Sequence, residues 1–413
     1  MYSLALKMAW ASLVRRPLRS ILVVLMICVS LWGLLLMQGI YDGMTEQMIS
    51  NAIRSDSGQL SIFGRGYRLD PSLDRLITGR KTDNLRSKIV SLLGTDSRIR
   101  SWVERLRQNG LVATAHYSRN TEIFGVDLER ENKHGHLQSY LMEGEYDFGR
   151  KGLGAIIGFK LAEKLQVKTG KKIILSAQDA HSEVTSIALR ITGILKTNNL
   201  GLDENGVFID LERARTFLGV QQGVSQVSII MHDDRQLAQL QQDLQTALPD
   251  LDILRWDEMY PALMQSRVLM KGFSMVISII IFGVAGLGIF GVMLVSVLER
   301  MREFGIMLAI GTAFREIRII ILTEALLMGL SGLVAGMICG GLSLVYFKIY
   351  GLDLTMFSEA FAEFGVDAIT HAVIRPDYFV TAFSAVVLAT IVSVYFPLRV
   401  LKRTNPVTVI NEI

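Results

Sequence analysis

Four long runs without an ionised side chain dominate this sequence, at 21–37, 273–298, 325–347 and 378–398. A bilayer core about 30 Å thick needs roughly 20 apolar residues in one helix, within a range of about 17 to 25. All four runs fit that requirement, and the excess in the second can be taken up by tilt or by extension out of the lipid. Soluble helices of this length carry a polar face, and these carry none. The first run is also too long for a signal-peptide core and lacks a small-x-small cleavage site, so it reads as a span. Charged residues make up only 20% of the 413-residue chain, below the roughly 25% of soluble domains. Most of the polar residues fall between the first two runs.

Lysine and arginine set the expected orientation. Lys7, Arg15, Arg16 and Arg19 precede the first run, Arg300, Arg302, Arg315 and Arg318 lie between the second and third, and Arg399, Lys402 and Arg403 follow the fourth. The connection between the third and fourth is acidic instead, with Asp353, Glu359, Glu363, Asp367 and Asp377. The positive-inside rule puts both termini and the 299–318 segment in the cytoplasm. The large polar segment then lies outside. The basic residues are accounted for by topology, so they do not point to nucleic acid.

The expected fold class is an α-helical membrane protein of four transmembrane helices, with a mixed α/β extracytoplasmic domain inserted between helices 1 and 2. Its parts are an amphipathic elbow helix on the cytoplasmic face at 1–20, a first span at 21–40, and an external domain with a stalk helix at each end at 41–271. A second span at 272–298, a cytoplasmic segment at 299–318, a third span at 319–347 and a short external loop at 348–377 follow. The fourth span, 378–398, leads to a cytoplasmic tail at 399–413. Within the external domain, the alternation at 59–63 predicts a strand. Segments 84–93 and 98–108 read as helices, and 111–115 and 121–126 as strands. Residues 155–165 read as strand, turn and helix. Strands are expected at 171–175, 183–192, 206–209 and 227–231, helices at 211–218 and 234–248, a short hairpin at 176–185, and a second stalk at 259–271.

No catalytic chemistry is evident. A phosphate-binding loop needs Gly, four residues, then Gly-Lys and Ser or Thr; Gly154 to Gly158 has the wrong spacing, and Gly170–Lys171–Lys172 has Leu165 where the first glycine belongs. G-x-S-x-G and H-E-x-x-H are absent. The two cysteines, Cys28 and Cys339, both fall in apolar runs, so the external domain depends on an ordinary hydrophobic core. Of the six histidines only His134 and His136 are close in sequence, and no cysteine or acidic cluster joins them, so no metal site is expected. Gly332, Gly336 and Gly340 repeat every fourth residue and place small side chains on one face of the third helix. Such faces let helix backbones approach closely in lipid, within one subunit or across a dimer.

The segment ERMREFGIMLAIGT at 299–312, followed by LTEALLMGLSGLVAG at 322–336 and FPLRVLKRTNPVTVI at 396–410, resembles the FtsX-type permease module of MacB-like (type VII) ABC transporters. The opening MAWASLVRRPLRSILVVLMICVSL is similar to the start of the same permeases. AIIGFKLAEKLQVKTGKKIIL at 155–175 and GILKTNNLGLDENGVFIDLERARTFLG at 193–219 resemble the external domain of the lipoprotein-releasing branch, LolC and LolE. The stretch MQGIYDGMTEQM departs from the Asn-Gly-Phe of that branch, and there is no extended loop for a periplasmic carrier.

The resemblance implies a bacterial inner-membrane permease that pairs with a second permease, the same or different, and with a dimer of separate ATPase subunits. ATP and magnesium would be held by that partner and not by this chain. Glu299, Arg300, Glu303, Phe304, Gly305 and Gly311 are carried over as ATPase-coupling positions. Glu324, at the start of the third helix, is expected to bond locally. The work implied is extraction of lipoproteins or lipids on the outer side, with a periplasmic lipoprotein, carrier or adaptor and membrane lipids as further partners. Two alternatives share this architecture: efflux of peptides, antibiotics or other amphiphiles as in MacB, and activation of an external partner as in FtsX.

Overall fold

The first apolar run lies inside one helix, α1 (Pro17–Ala52), which ends in a π-helical turn at Ile53–Ser57. In this computed structural model, residues 17–77, 85–149, 151–197, 199–357 and 366–403 are described. Residues 1–16 of the expected elbow helix, Glu359 and Glu363, and the tail from 404 lie outside them. The chain divides into a membrane unit, drawn from Met1–Thr45, Arg267–Leu354 and Ile369–Ile413, and an inserted unit made of Glu46–Ser266 with Thr355–Ala368.

Between α1 and the second long helix, the elements in chain order are β1 (Leu60–Gly64), α2 (Leu85–Thr95), β2 (Ile99–Ala113), β3 (Ser118–Val126), α3 (Leu128–Gly135), β4 (Leu141–Gly144), β5 (Gly154–Gly158) and α4 (Phe159–Leu165). They continue with β6 (Lys172–Gln178), β7 (Val184–Leu195), α5 (Leu200–Asn205), β8 (Gly206–Asp210), α6 (Leu211–Phe217), β9 (Gln226–Met231), α7 (Leu237–Ala247), β10 (Leu251–Arg255) and α8 (Trp256–Met259).

The pairings resolve this string into two halves. Strands β10, β1, β9 and the first part of β2 lie in that order, each antiparallel to its neighbours. With α2 between β1 and β2 and α7 between β9 and β10, this is a βαββαβ, ferredoxin-like sheet. Its two helices close over a core that includes Ile62, Ile89, Ile229, Leu240, Leu244 and Ile253. The second half is inserted between β2 and β9. There β2 pairs with β3, β3 with β8, β8 with β5, β5 with β7, β7 with β6, and β6 with β2 again. The circuit closes into a six-stranded barrel packed with Val112, Ile123, Ile157, Leu175, Ile191 and Val207. Closure removes free sheet edges.

One sequence expectation fails here. The 98–108 segment is not a helix; it belongs to the long strand β2, whose first part pairs with β9 and whose second part pairs with β3 and β6. Two of its charged side chains, Glu104 and Arg105, are buried in ion pairs. Glu104 accepts two bonds from Arg86 of α2 at 2.6 and 2.7 Å, and Arg105 forms a bidentate pair with Glu131 of α3 at 2.6 and 2.8 Å. His134, also on α3, sits between the hydroxyls of Ser101 and Ser228, 3.0 Å from each. Burial, helped by the charge of Arg105, depresses its pKa to about 3 and keeps the ring neutral.

After the inserted strands and helices come α9 (Pro261–Glu299), α10 (Met301–Ala309), α11 (Phe314–Tyr350) and α12 (Pro376–Arg403), with a two-residue antiparallel pair, β11 (Leu352–Asp353) and β12 (Ile369–Thr370). Helices α1, α9, α11 and α12 are each long and apolar enough to cross a membrane. Half of the most apolar window of α11 is buried against 17% for α9, so α11 is the central helix and α9 keeps the widest uncovered face.

Candidate coupling site in the membrane unit

Helix α9 stops where four charged residues occur among five, and the side chains explain how the chain turns there. Arg19 near the start of α1 bonds to Glu299 at the end of α9, 2.6 Å away. Both partners are substantially exposed, so the pair contributes about 0–1 kcal/mol. Arg300 is better buried. Its Nε donates to Glu303 at 3.0 Å, its Nη1 donates to Glu324 of α11 at 3.1 Å, and its guanidinium lies 5.0 Å from the centre of the Phe304 ring. Glu324 therefore bonds across to the connection that precedes its helix.

These contacts set the roll of α10. Phe304 is 1% exposed, packed in the core cluster that also contains Val297, Ile317 and Ile321, and Gly305 beside it is buried. Phe304 is thus an anchor holding α10 to the bundle. The opposite face carries Arg302 and Glu303, with Ile306 47% and Ile310 77% exposed. Arg315 and Arg318 at the start of α11 are exposed as well. Two protruding isoleucines framed by charges make a surface suited to a groove with an acidic rim.

Gly311 ends α10 in the left-handed region at φ +98°. Its N–H donates to the Leu308 carbonyl at 3.1 Å, and the Thr312 N–H donates to the Met307 carbonyl at 2.9 Å. Those two bonds form a Schellman C-cap, which favours glycine at this position. Gly311→Ala is expected to destabilise this turn by about 1 kcal/mol and to speed amide exchange at 310–312 without affecting the inserted unit. Unchanged exchange there would rule the cap out.

Gly332, Gly336 and Gly340 face α1 of the same chain. A Cβ at these positions would stand 2.7 Å from Ile27 Cβ, 2.7 Å from Leu31 Cβ and 2.6 Å from Leu35 Cδ1 respectively. Two glycines on α1 also permit close backbone approach. Gly39 accepts a bond from the Val373 N–H at 2.9 Å, and a Cβ on Gly43 would collide with the His371 carbonyl. Their spacing of four was the available signal.

A four-span bundle with an α/β domain between its first two helices, and a short charge-anchored helix between the second and third, has the architecture of a permease subunit. Residues 20–247 match the MacB-like periplasmic core domain and residues 275–406 the FtsX-like permease C-terminal domain; the chain belongs to this MacB/FtsX-like permease family. Among its relatives is a macrolide export ATP-binding/permease protein, MacB 2 of Yersinia pestis, 23% identical over 439 aligned positions, covering 99% of this chain and 58% of the relative. The lipoprotein-releasing system transmembrane protein LolE of Haemophilus influenzae is 22% identical over 245 positions, 58% of this chain and 57% of its own. The periplasmic region of MacB from Actinobacillus actinomycetemcomitans aligns with 51% of this chain and 95% of its own at 14% identity and a TM-score of 0.35. The chain spans 58% of the length of the first of these relatives.

Proposed function

We propose that this chain is the permease subunit of an ABC transporter that couples ATP hydrolysis by a separate subunit to extraction of lipoproteins or lipids from the outer leaflet of the inner membrane. The observation that carries the reading is the two-faced helix α10. Phe304 and Arg300 tie it to the bundle, while Ile306 and Ile310 stand free on the same side as Arg302. In this reading both termini and α10 are cytoplasmic, and α10 docks on the ATPase. Helices α1 and α9 carry the resulting motion outward, since each runs without interruption from the bundle into the inserted unit. A second permease packs against the uncovered face of α9.

Ile310→Asp is the direct test. It removes an exposed apolar contact from the docking face and places a carboxylate opposite the proposed acidic rim. Purified in mild detergent from its native cell, the variant is expected to lose the co-purifying ATPase subunit while its unfolding temperature stays within about 2 °C of wild type. Full retention of the ATPase would remove the docking assignment.

The competing substrate reading is efflux of a peptide, antibiotic or other amphiphile, and it is favoured by the macrolide-export relative matching 99% of this chain. A co-purified lipidated protein supports extraction, whereas dependence on a periplasmic adaptor supports efflux. A co-purified cell-wall enzyme supports the third alternative, activation of an external partner as in FtsX.

A further inference from the structure

The roots of both stalks meet in one buried polar cluster. Asp56, in the turn that ends the first stalk, accepts a bond from the hydroxyl of Tyr260, the residue immediately before α9. The same carboxylate accepts from Arg107 Nη1 at 2.7 Å, and the backbone carbonyl of Asp56 accepts from Arg105 and, at 3.3 Å, from Gln226. Arg107 continues to Glu122 of β3 at 2.8 Å, and Arg105 to Glu131 of α3. Arg105 and Arg107 flank the point where β2 passes from the ferredoxin-like sheet into the barrel.

Burial pushes the Asp56 carboxyl up, but Arg107 and Arg105 outweigh it and hold the group below the ordinary carboxylate range. The Tyr260 hydroxyl is pushed well above its ordinary range, first by burial and then by Asp56, so it remains a donor. Placing so many ionic groups out of water is costly, and apolar side chains of similar volume often hold a fold as well or better. The cluster is better explained by what it joins.

We propose that Asp56 and Tyr260 form a latch that fastens the two stalk roots to each other and to the middle of β2, so that displacement of either stalk is delivered to both halves of the inserted domain together. Its use in transport rests on the permease reading above; the latch itself does not. Tyr260 and Asp56 are positioning residues in this scheme, since neither is assigned to substrate.

Tyr260→Phe deletes one hydroxyl and leaves Asp56 paired with Arg107, so the fold is preserved. Hydrogen exchange on the full chain in lipid nanodiscs is the measurement. The expected result is exchange about tenfold faster at both roots, residues 53–58 and 259–264, as for loss of a hydrogen bond to a charged group. Strands β5 and β6 should stay unchanged. Asp56→Asn should give the same two-sided pattern. Arg86→Met, which breaks the Glu104 pair elsewhere on β2, should not. A change confined to 259–264, or one spread evenly over the whole inserted domain, overturns the latch. Repeating the comparison on the complex with the ATPase, with and without a non-hydrolysable ATP analogue, separates the two levels. A two-sided effect in the chain alone, with no nucleotide response in the wild-type complex, leaves the latch standing and removes the permease reading.

Discussion

Gly336→Leu is expected to unfold the membrane unit while leaving the inserted domain intact. A Cβ at this position would lie 2.7 Å from Leu31 Cβ, 3.1 Å from Leu31 Cδ1 and 3.2 Å from the Cα of Cys28. The last of these is backbone, which cannot rotate away, so α1 and α11 have to separate. Gly332 and Gly340 sit one turn to either side with equally close neighbours, and their contacts part with it. Overpacking a tight core costs about 1–3 kcal/mol at one site, and parting a three-turn interface costs more than that. In detergent, the variant should show a sharply lower unfolding temperature and poor recovery of monodisperse protein. Gly336→Ala should fall between it and wild type. A leucine variant as stable as wild type would mean that the two helices do not approach as described.

The second large effect lies in the inserted domain. Arg105→Met is expected to destabilise it by about 3–5 kcal/mol, because Glu131 is then left buried and uncompensated. Arg105 and Glu131 are both almost fully buried and share two bonds at 2.6 and 2.8 Å. The double variant Arg105→Met, Glu131→Leu should recover most of that loss, since paired apolar replacements of a buried ion pair are often neutral. Recovery will be incomplete, because Arg105 also donates to the Asp56 carbonyl, leaving Gln226 as the partner of that oxygen. Urea titration followed by tryptophan fluorescence reads all three variants. Additive losses in the double variant would show that the two side chains are not energetically coupled.

How much was legible beforehand depended on the range of the interaction. Hydrocarbon imposes a length and a composition on any helix that crosses it, so all four spans could be read from local sequence. Most strands and helices of the inserted domain were visible for a similar reason, since alternation and turn residues act locally. The 98–108 segment failed because Glu104 and Arg105 are satisfied by Arg86 and Glu131, at distances along the chain that no local pattern encodes. The two-part topology was invisible likewise, because β1 is completed by β9 and β10 from the far end of the domain. In the candidate site, the 299–312 motif was recognisable, but its division into an inward anchor and an outward face was not. Phe304 is one of several apolar residues in that connection, and only the packing against Ile317 and Ile321 shows which way it points. Nothing local tied Asp56 to Tyr260, 204 residues away.

The sharing of β2 has a consequence for the order in which the chain can assemble. Every barrel strand lies between Ile99 and Asp210, so the barrel can close as soon as that stretch has crossed the membrane. The ferredoxin-like sheet cannot, because β9 must slot between β1 and β2, and it is made only after the whole barrel. Domains tend to fold as units during synthesis, and long-range strand pairing is slow. The barrel therefore acts as a prefabricated module on a waiting scaffold, and the arrival of β9 and β10 completes the sheet just before α9 is synthesised. Maturation of the outer domain and delivery of the second membrane helix thus become consecutive events on one timetable.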